Sequence, residues 1–530
     1  MENDHTARAV PVDEETGRHG EEDRLILPPA RRGHFALLAT AFIISVCGIS
    51  YELLAATVSS YFLGNAVQQY SLTIGIFLFA MGIGSYLSRK FEGNLVESFV
   101  AIEIIIGFVG GFSTFILFGA YSYTQSFSLV MYSLLLVLGT LIGLEVPILI
   151  RILRNYEMLK FSVADVLSFD YVGALIASIA FPLFVLPHMG MMHASFFYGL
   201  LNMVIVFMNL SIFSGIIRKE KMFIALSALA TLILSVGLFQ SNRLVSFFEA
   251  RLYDDEVVLT KNTKYQRIVL SRYKDDVRLF LDGNLQFSSW DEYRYHECLV
   301  HPAMSLAARK DEVAILGGGD GLAAREVLKY PGVKRVTLVD IDADMVELCR
   351  TNAFIKELNG GSLEAPRMNV VIQDAFTYME NSRERFDVII VDLPDPNNES
   401  LSKLYTKSFY LILKNHLSRG GMIAVQSTSP YFAREAYWCI VRTVESAGLE
   451  VMPYHTYVPS MGDWGFTLAS SGKIDPSRID VDVPTRFLNS GKAAFLFEFG
   501  RDEQEVETEI NSLDTHKLLQ YYDRSWKMWE

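Results

Sequence analysis

The residues best suited to chemistry lie in one glycine-rich run in the second half of the chain. Residues 313–342, VAILGGGDGLAAREVLKYPGVKRVTLVDID, predict a strand, a glycine turn, a helix and a second strand. Glycines such as Gly317 and Gly319 let a backbone approach a ligand closely. Asp340 ends the second strand, twenty positions after Asp320, where it can accept hydrogen bonds from a ribose diol. The run therefore predicts a nucleoside site.

The glycine spacing favours a nucleoside without phosphate. A dinucleotide fingerprint is G-x-G-x-x-G, in which the third glycine packs the helix on the strand. Gly317 and Gly319 fit that pattern, but Leu322 stands at the third position and the run continues as G-x-G-x-G through Gly321. The spacing argues against NAD and suits an S-adenosyl sulfonium.

Further carboxylates follow other predicted strands. Strands and helices alternate after residue 313, which predicts an α/β domain with a doubly wound parallel sheet, Rossmann-like and of the methyltransferase type. Ligands bind at the carboxyl ends of such strands. Those ends supply four carboxylates and one amide, namely Asp320, Asp340, Asp374, Asp392 and Gln426. We predict that these groups gather at one edge of the sheet.

A small antiparallel unit should precede this domain. Residues 265–287 alternate apolar and polar side chains, with breaks at KDD and DGN that predict hairpin turns. The next helix is predicted to begin near Ser289.

Composition divides the 530-residue chain into unlike parts. Residues 35–240 are almost uncharged and rich in Leu, Ile, Phe and Gly, whereas the rest has ordinary globular composition. The charged segment 1–34 predicts a disordered tail that is too long and too acidic for a signal peptide. We predict that this tail is followed by a membrane domain over 35–240, a linker with the small β-hairpin domain over 241–288, and an α/β catalytic domain over 289–530.

Cysteine spacing and net charge exclude other classes. The four cysteines are far apart, at positions 47, 298, 349 and 439, so neither a zinc site nor a disulfide framework is expected. A net charge of −13 argues against a nucleic-acid partner and is compatible with a cationic substrate.

Seven stretches are candidates for crossing a bilayer, which requires about 20 apolar residues. They are approximately 35–60, 70–88, 98–120, 127–150, 163–186, 190–215 and 222–240. Basic residues precede the first span and follow the second, fourth and sixth, which predicts a multi-pass protein of the cell (inner) membrane with a cytoplasmic N-terminus. An odd number of spans would put the catalytic domain outside the cytoplasm, where a nucleoside made in the cytoplasm is not expected, so its side stays open.

Five carboxylates fall within or beside the predicted spans: Glu52, Glu103, Glu145, Asp165 and Asp170. Charge inside a membrane is costly and indicates function by default. These residues either line a path for a cation or pair with backbone and hydroxyl groups between helices.

From about residue 255 to 470 the sequence resembles the spermidine synthases, the polyamine aminopropyltransferases. The matching segments, in order, include YQRI (265–268), LDGNLQFSSWDEYRYHE (281–297), GGGDGLAAREVLKYP (317–331), LVDID (338–342), QDAF (373–376), DVIIVDLPDP (387–396), LYTKSFY (404–410), QSTSPYFAREAYW (426–438) and WGFTLAS (464–470). The multi-span first half resembles that of the membrane-fused branch of this family.

The resemblance implies a reaction. Decarboxylated S-adenosylmethionine, a co-substrate rather than a permanent cofactor, would donate its aminopropyl group to putrescine or a related amine, giving spermidine and methylthioadenosine. The sulfonium is already activated, so no metal is expected, and in-line positioning of the reactants remains for the protein. The resemblance also implies a homo-oligomer, and the apolar half implies a lipid bilayer as partner.

Catalytic roles follow from the same resemblance. Asp392 matches the catalytic acid–base aspartate, and Tyr295 matches the tyrosine that assists at the attacking amine. Asp320 would hold the ammonium of the donor. Asp340, where the family usually has a glutamate, would bind the ribose hydroxyls, and Asp374 would bind the adenine amino group.

The remaining matches concern the two substrates. For the donor they are Ala375, Gln266 and Gln286. For the amine they are His296 and Asp395, which would line the pocket with Asp392, and Gln426, which would lie at the far end of the amine. The family's amine-binding tyrosine aligns with Pro459, and Tyr457 lies two residues away.

Two other functions remain open at this point. One is an S-adenosylmethionine methyltransferase, although its donor keeps a carboxylate that Asp320 would repel. The other is a membrane polyamine transporter or sensor whose soluble domain only binds.

Overall fold

The first half of the chain is helical, because its long apolar segments satisfy their backbone hydrogen bonds internally. The computed structural model describes residues 30–63, 66–124, 126–155, 163–252 and 255–529. The helices of the first half are α1 (Ala30–Leu63), α2 (Ala66–Ser88), α3 (Leu95–Gly111), α4 (Ser113–Tyr123), α5 (Phe127–Asn155), α6 (Val163–Ala180), α7 (Leu186–Ile212) and α8 (Glu220–Leu252).

Length and composition allow several of these helices to cross a membrane. Within the described ranges five helices qualify, and a sixth is added if α3 and α4, which meet at a bend of 43°, form one span. The longest of the five, Val163–Ile212, has 50 residues and contains α6, a π-helical turn (Phe181–Val185) and α7. Gly190 interrupts it with φ +71° and ψ 172°, which are not helical angles.

Two hydrogen bonds show that α6 and α7 fold back on each other. Ser45 Oγ of α1 donates to the carbonyl oxygen of Asp170 at 2.6 Å, and Cys47 Sγ of α1 donates to that of Tyr198 at 3.8 Å. A straight helix would hold Asp170 and Tyr198 about 42 Å apart, at 1.5 Å per residue. Because both lie beside neighbouring residues of α1, the chain reverses between them.

The predicted boundaries of the membrane domain differ from the observed ones. Residues 1–29 of the predicted tail lie outside the described residues, and 30–34 are already helical. The predicted linker from 241 is still helix, since α8 continues to Leu252. The extension is held by Phe248, whose ring packs on Phe115 and Phe118 with centroids 5.2 and 6.3 Å away. An aromatic contact across the bundle, invisible in local hydropathy, sets the end of α8.

A four-stranded antiparallel sheet follows α8. Its strands, in spatial order, are β1 (Glu256–Asn262), β2 (Arg267–Tyr273), β3 (Asp276–Leu281) and β4 (Asn284–Ser288). The two expected turns lie at KDD and DGN, where Lys274, Asp282 and Gly283 have positive φ. Strand β1 was not anticipated from the sequence.

The second sheet has seven strands in the order β10-β11-β9-β8-β5-β6-β7. In chain order they are β5 (Glu312–Gly317), β6 (Arg335–Asp340), β7 (Met368–Ile372), β8 (Phe386–Asp392), β9 (Leu417–Gln426), β10 (Glu450–Val458) and β11 (Gly462–Ser470). Strands β5 to β9 are parallel, as predicted, but β11 pairs antiparallel with both β9 and β10. The sheet is therefore mixed, because the short turn between β10 and β11 can join only antiparallel neighbours.

Helices cover both faces of this sheet, so its central strands are apolar throughout. These helices are α9 (Glu292–Leu306), α10 (Leu322–Leu328), α11 (Ala343–Thr351), α12 (Ala353–Leu358), α13 (Ala375–Asn381), α14 (Glu399–Ser402), α15 (Lys407–His416), α16 (Arg434–Ser446), α17 (Ser490–Ala493) and α18 (Lys517–Trp526). The parallel strands all present their carboxyl ends at one edge.

Close contact between α2 and α5 requires glycine. A Cβ on Gly84 would meet the carbonyl oxygen of Thr140, and a Cβ on Gly143 would meet backbone atoms of Met81. Gly82, in the same GIGSY segment, has no neighbour within 4 Å of such a Cβ. Of these two glycines, only Gly84 is therefore required for the close packing of α2 on α5.

We predict that Gly84→Ala destabilises the bundle and that Gly82→Ala does not. Forcing a methyl group against backbone costs about 1–3 kcal/mol, because neither helix can yield without losing packing elsewhere. Thermal unfolding of the detergent-solubilised protein measures both variants. Equal unfolding temperatures for the two would contradict the assigned contact.

Candidate active site

A cavity of about 1650 Å³ opens at the carboxyl ends of the parallel strands. Its walls come from the seven-stranded sheet, the small antiparallel sheet and the near end of the helical bundle. The predicted site residues that line it are Gln266, Gln286, Tyr295, His296, Gly317, Gly319, Asp320, Asp340, Asp374, Ala375, Asp392, Asp395 and Gln426. One sheet edge therefore collects residues that are 160 positions apart in the chain.

Asp392 and Tyr295 are directly bonded. Asp392 ends β8, and Tyr295 lies on the first turns of α9, so the phenol reaches over the strand end. The Tyr295 hydroxyl donates to Asp392 Oδ1 at 2.8 Å. Burial raises the pKa of Asp392 above its usual value, while His296 and the Tyr295 hydroxyl oppose the rise. Burial and the Asp392 charge also raise the pKa of Tyr295, so the phenol stays a hydrogen-bond donor.

His296 is held as a cation by a buried carboxylate. Its Nδ1 lies 2.9 Å from Glu292 Oε2, one helical turn away, and Arg325 donates to both oxygens of Glu292 at 2.8 and 2.9 Å. Burial alone would lower the pKa of His296, but the bond and charge of Glu292 outweigh it and raise the pKa to about 9. A positive charge is thus fixed beside the cavity carboxylates.

Asp320 completes a compact polar cluster with His296 and Asp392. One potential ligand atom from each of the three lies within 4.8 Å of the others. Burial raises the pKa of Asp320 to about 6, His296 opposes that rise and Asp392 adds to it. The two carboxylates suit an ammonium cation, and the positive charge of His296 balances part of their negative charge.

The glycine run shapes the floor of the cavity. Gly317 has φ +81°, and a Cβ there would meet the carbonyl oxygen of Asp392. A Cβ on Gly319 would lie 2.6 Å from Asp340 Oδ2, so glycine lets Asp340 approach the loop. Asp340 Oδ1 accepts from the backbone N–H of Asp342 at 2.8 Å, and burial raises the pKa of Asp340 to about 6.

Gly321 was predicted to bind the nucleoside, and the structure places it outside the cavity. It begins α10 with φ +81°, and its carbonyl oxygen accepts from Ser362 Oγ at 2.6 Å. A Cβ would lie 2.7 Å from Ser362 Oγ and 2.9 Å from Leu363. Glycine is needed here because the turn is left-handed and packs against residues 362–363. The sequence motif alone does not distinguish this structural requirement from contact with a ligand.

Asp374 and Ala375 lie at the start of α13. Asp374 caps that helix, because its Oδ1 accepts from the backbone N–H of Thr377 at 2.9 Å. Its Oδ2 accepts from Lys403 Nζ at 2.8 Å. Burial alone would raise the pKa of Asp374, but the hydrogen bonds from Lys403 and Thr377 outweigh it and lower the pKa below its usual value. Asp374 is therefore a fixed anion, and Ala375 is a buried wall beside it.

Asp395 is surrounded by donors from three elements. Thr428 Oγ1 and the Tyr522 hydroxyl each donate to its Oδ2 at 3.0 Å, and Gln426 Nε2 lies 3.2 Å from its Oδ1. Burial raises the pKa of Asp395 to about 6, and these three bonds oppose the rise. Sequence reasoning missed Thr428 and Tyr522, since nothing local in α18 marks Tyr522 as part of a site.

Gln426 has a different role from the predicted one. Its Nε2 also donates to the Leu393 carbonyl oxygen and the Tyr405 hydroxyl, both at 2.7 Å, and its Oε1 accepts from the backbone N–H of Thr428 at 3.0 Å. Both polar ends of the amide are thus used by the protein. Gln426 positions Asp395 rather than offering a free group to a ligand.

The two predicted glutamines lie on the small sheet and its turn. Gln266 donates to Asp342 Oδ2 at 3.0 Å, and Gln286 donates to the carbonyl oxygen of Asn284 at 3.1 Å. Both line the cavity on the side of Asp340.

The helical bundle forms a wall of the cavity that was not predicted from the sequence. The ends of α1, α2 and α4, together with the turn between α6 and α7, reach the cavity through Tyr61, Tyr70, Tyr121 and Met191. The Tyr70 hydroxyl lies 2.9 Å from Thr57 Oγ1, which also lines the cavity. Hydropathy marks these residues as span ends but does not indicate what they face.

Removing the charge of Glu292 should release His296. We predict that Glu292→Gln lowers stability by about 3 kcal/mol, roughly 6–12 °C in unfolding temperature, because the buried His296 loses its carboxylate partner and Arg325 keeps only that of Glu326. The raised pKa of His296 contributes stability that is complete below about 6.5 and is lost as the pH rises through about 9. Thermal unfolding should therefore show the difference between variant and wild type shrinking between about pH 6.5 and pH 9. Glu347→Gln, at an exposed pair, is the control and should change little.

The chain is similar to proteins of one kind along almost its whole length. A family model described as a spermine/spermidine synthase domain matches residues 292–480. A polyamine aminopropyltransferase of Leptospira interrogans is 45% identical over 493 residues, which cover 93% of this chain and 98% of that protein. One of Oceanobacillus iheyensis is 44% identical, covering 92% and 96%. A solved spermidine synthase of Thermotoga maritima is 28% identical, with a TM-score of 0.42, and the match covers 46% of this chain and 85% of that one.

Proposed function

The chain belongs to the polyamine aminopropyltransferase family, and we propose that it moves the aminopropyl group of decarboxylated S-adenosylmethionine to putrescine or a related amine. The observation that carries this proposal is the bonded pair of Tyr295 and Asp392 beside Asp320, in a cavity whose floor suits a nucleoside without phosphate. A donor of this kind carries a sulfonium and an ammonium, which the carboxylates favour.

The chemical step is a substitution at carbon. The amine nitrogen forms a bond to the aminopropyl carbon next to sulfur, and the carbon–sulfur bond breaks with its electron pair left on sulfur. Methylthioadenosine leaves as a neutral thioether. One proton of the attacking ammonium must be lost before attack, and Asp392 accepts it, because a carboxylate with a raised pKa is the stronger base.

Each further residue has a part in positioning. Asp320 holds the donor ammonium, and Asp340 holds the ribose hydroxyls. The side chain of Asp340 is shorter than the glutamate usual in the family, and Gly319 compensates because it lets Asp340 approach the glycine loop closely. Asp374 and Ala375 line the part of the cavity that holds the adenine.

The acceptor half of the cavity lies between Tyr295 and Asp395. His296⁺ balances the charge of Asp320 and Asp392 when the site is empty. Ordinary S-adenosylmethionine, the donor of a methyltransferase, would place its carboxylate against Asp320, which opposes that reaction.

We also propose that the protein crosses the cell membrane seven times, with α6 and α7 as separate spans. The bundle end that faces the cavity includes Leu63, Tyr121 and Pro182, and the sequence within five residues of each contains no Lys or Arg. The opposite end carries basic residues such as Arg89, Lys90, Arg151 and Arg154. The charge rule then puts the catalytic domain on the face opposite the cytoplasm.

A reporter at the C-terminus tests this placement. Alkaline phosphatase fused there should be active in whole cells and a fluorescent protein should be dark. The reverse pattern would put the catalytic domain in the cytoplasm. The homo-oligomer stays a prediction that the mass of the detergent-solubilised protein tests.

We predict that Asp392→Asn lowers kcat by about 10²–10⁴, because the amide cannot accept the proton. Methylthioadenosine release in the presence of a panel of amines measures the loss and identifies the acceptor. Asp344→Asn, an exposed surface pair with Lys261, should keep wild-type activity. Retention of full activity by the Asp392 variant would remove Asp392 from the reaction.

The same panel tests Tyr295. We predict that Tyr295→Phe lowers kcat by roughly ten-fold, less than Asp392→Asn, since it removes a hydrogen bond but leaves the base. An effect confined to KM would show that the hydroxyl contributes to binding alone.

The pH dependence should follow the cavity carboxylates. Asp320 and Asp340 have pKa values of about 6, so they are anions above that pH and lose their hold on a cationic donor below it. We predict that kcat/KM falls about ten-fold or more per unit as the pH drops below 6. In Asp320→Asn the acid limb should become shallower. If the slope of kcat/KM against pH on the acid side were the same in Asp320→Asn as in the wild type, Asp320 would have no part in donor binding.

A further inference from the structure

Two acidic side chains face each other in the interior of the bundle. Glu103 of α3 and Glu145 of α5 are 0% and 1% exposed, and their carboxyl groups are in hydrogen-bonding contact. Asn202 Nδ2 of α7 donates to Glu103 Oε2 at 2.9 Å. Glu103 Oε1 and Glu145 Oε2 find no hydrogen-bond donor among the residues the structure describes. The unpartnered oxygens are buried and belong to one cluster.

Among the residues that the structure describes, no Lys or Arg is buried in the bundle interior, since Lys221 and Arg243 of α8 are exposed. Residues 35–88, 95–150 and 163–217 contain no Lys or Arg. Two carboxylates in contact cannot both be ionised in an apolar medium without a compensating charge. A proton or an external cation must therefore lie between Glu103 and Glu145.

The pair lies near the middle of the bundle. Glu103 is eight residues from the start of α3 at Leu95, and Glu145 is ten residues from the end of α5 at Asn155. These offsets correspond to about 12 and 15 Å along the helices, half of a hydrocarbon core of about 30 Å. Such a depth is typical of cation sites in membrane carriers.

Polar side chains on α1 lie along the helix between the pair and the catalytic cavity. The Tyr51 hydroxyl lies 3.4 Å from Asn202 Oδ1, and Asn202 in turn holds Glu103. Thr57, six residues or about 9 Å further along α1, lines the cavity. Glu52, which is 7% exposed, lies between them. The cations nearest to these side chains are therefore the amines that bind in the catalytic site.

We propose that Glu103 and Glu145 form a proton-binding site that exchanges its proton for an aliphatic polyammonium cation, so that the membrane domain carries the acceptor or the product of the reaction across the bilayer. The site is separate from the transferase machinery. The other titratable groups that face the pair are Cys47 and Tyr51 of α1 and Asp170 of α6. None of them is basic, so each favours a cation there.

Transport by the full-length protein in sealed proteoliposomes tests the proposal. Luminal pH is followed after putrescine or spermidine is added outside, and protein-free vesicles give the background. We expect protein-dependent alkalinisation with one or both amines, which identifies the cargo as acceptor, product or both. Glu103→Gln and Glu145→Gln should each lose at least ten-fold of this rate. An unchanged rate in either variant, or no protein-dependent rate with either amine, would overturn the proposal.

Matched variants separate transport from catalysis and from folding. Glu92→Gln, at an exposed position beyond α2, should transport as the wild type does. Asp392→Asn should transport but not transfer, whereas the two glutamine variants should release methylthioadenosine within about two-fold of the wild-type rate. If the wild-type protein exchanged protons for amines but released no methylthioadenosine, the proposed aminopropyl transfer would be contradicted and the proposed exchange site would be supported.

Carbodiimide labelling tests the site without substitution. Dicyclohexylcarbodiimide reacts with protonated carboxyl groups in apolar surroundings, and mass spectrometry locates the adduct. We expect labelling at Glu103 or Glu145 in the wild-type protein at pH 6, slowed several-fold by the transported amine. Absence of an adduct at both positions, or labelling that the amine does not slow, would count against an exchangeable proton.

Discussion

The buried contact between Glu292 and His296 is the interaction on which the catalytic half depends. The parallel sheet directs several carboxylates to one edge, and burial would protonate them if no positive charge stood nearby. Glu292 keeps His296 charged, and Arg325 in turn keeps Glu292 ionised, so a chain of alternating charges runs from the back of the sheet to Asp320 and Asp392. The cavity can thus be acidic enough for cations and still keep Asp392 available as a base.

The parts of this arrangement that the sequence predicts are those set by local rules. Strands β6 and β8 are buried along almost their whole length, so they read as apolar runs, and Asp340 and Asp392 stand at their ends. The antiparallel β10–β11 edge and β1 were not foreseen, because pairing at a sheet edge depends on partners distant in the chain. Gly321 lies outside the cavity and Gln426 bonds to the protein through both ends of its amide, since a motif does not distinguish a residue that contacts a ligand from one that shapes its neighbours.

Three tyrosines that reach the cavity from distant parts of the chain illustrate the same limit. Tyr522 reaches Asp395 across 127 positions, and Tyr61 and Tyr70 reach the cavity from another part of the fold. Hydropathy predicted long apolar helices in the first half of the chain, but the end of α8 at Leu252 and the reversal at Gly190 depend on aromatic packing and on a backbone angle. Such features arise from tertiary contacts that composition does not encode.

If the bundle crosses a bilayer as proposed, a cavity with one wall on the bundle and the others on the catalytic domain ties the enzyme kinetics to the surrounding lipid. Helices adapt to bilayers of different thickness by tilting, and tilting moves the ends of α1 and α2 relative to the fixed edge of the sheet. The distance between Tyr70 and the Tyr295–Asp392 pair then changes without any change in the catalytic domain itself. For a protein seated in this way, acyl-chain length becomes a determinant of which amine fits, and membranes of different composition would set different substrate preferences for one sequence.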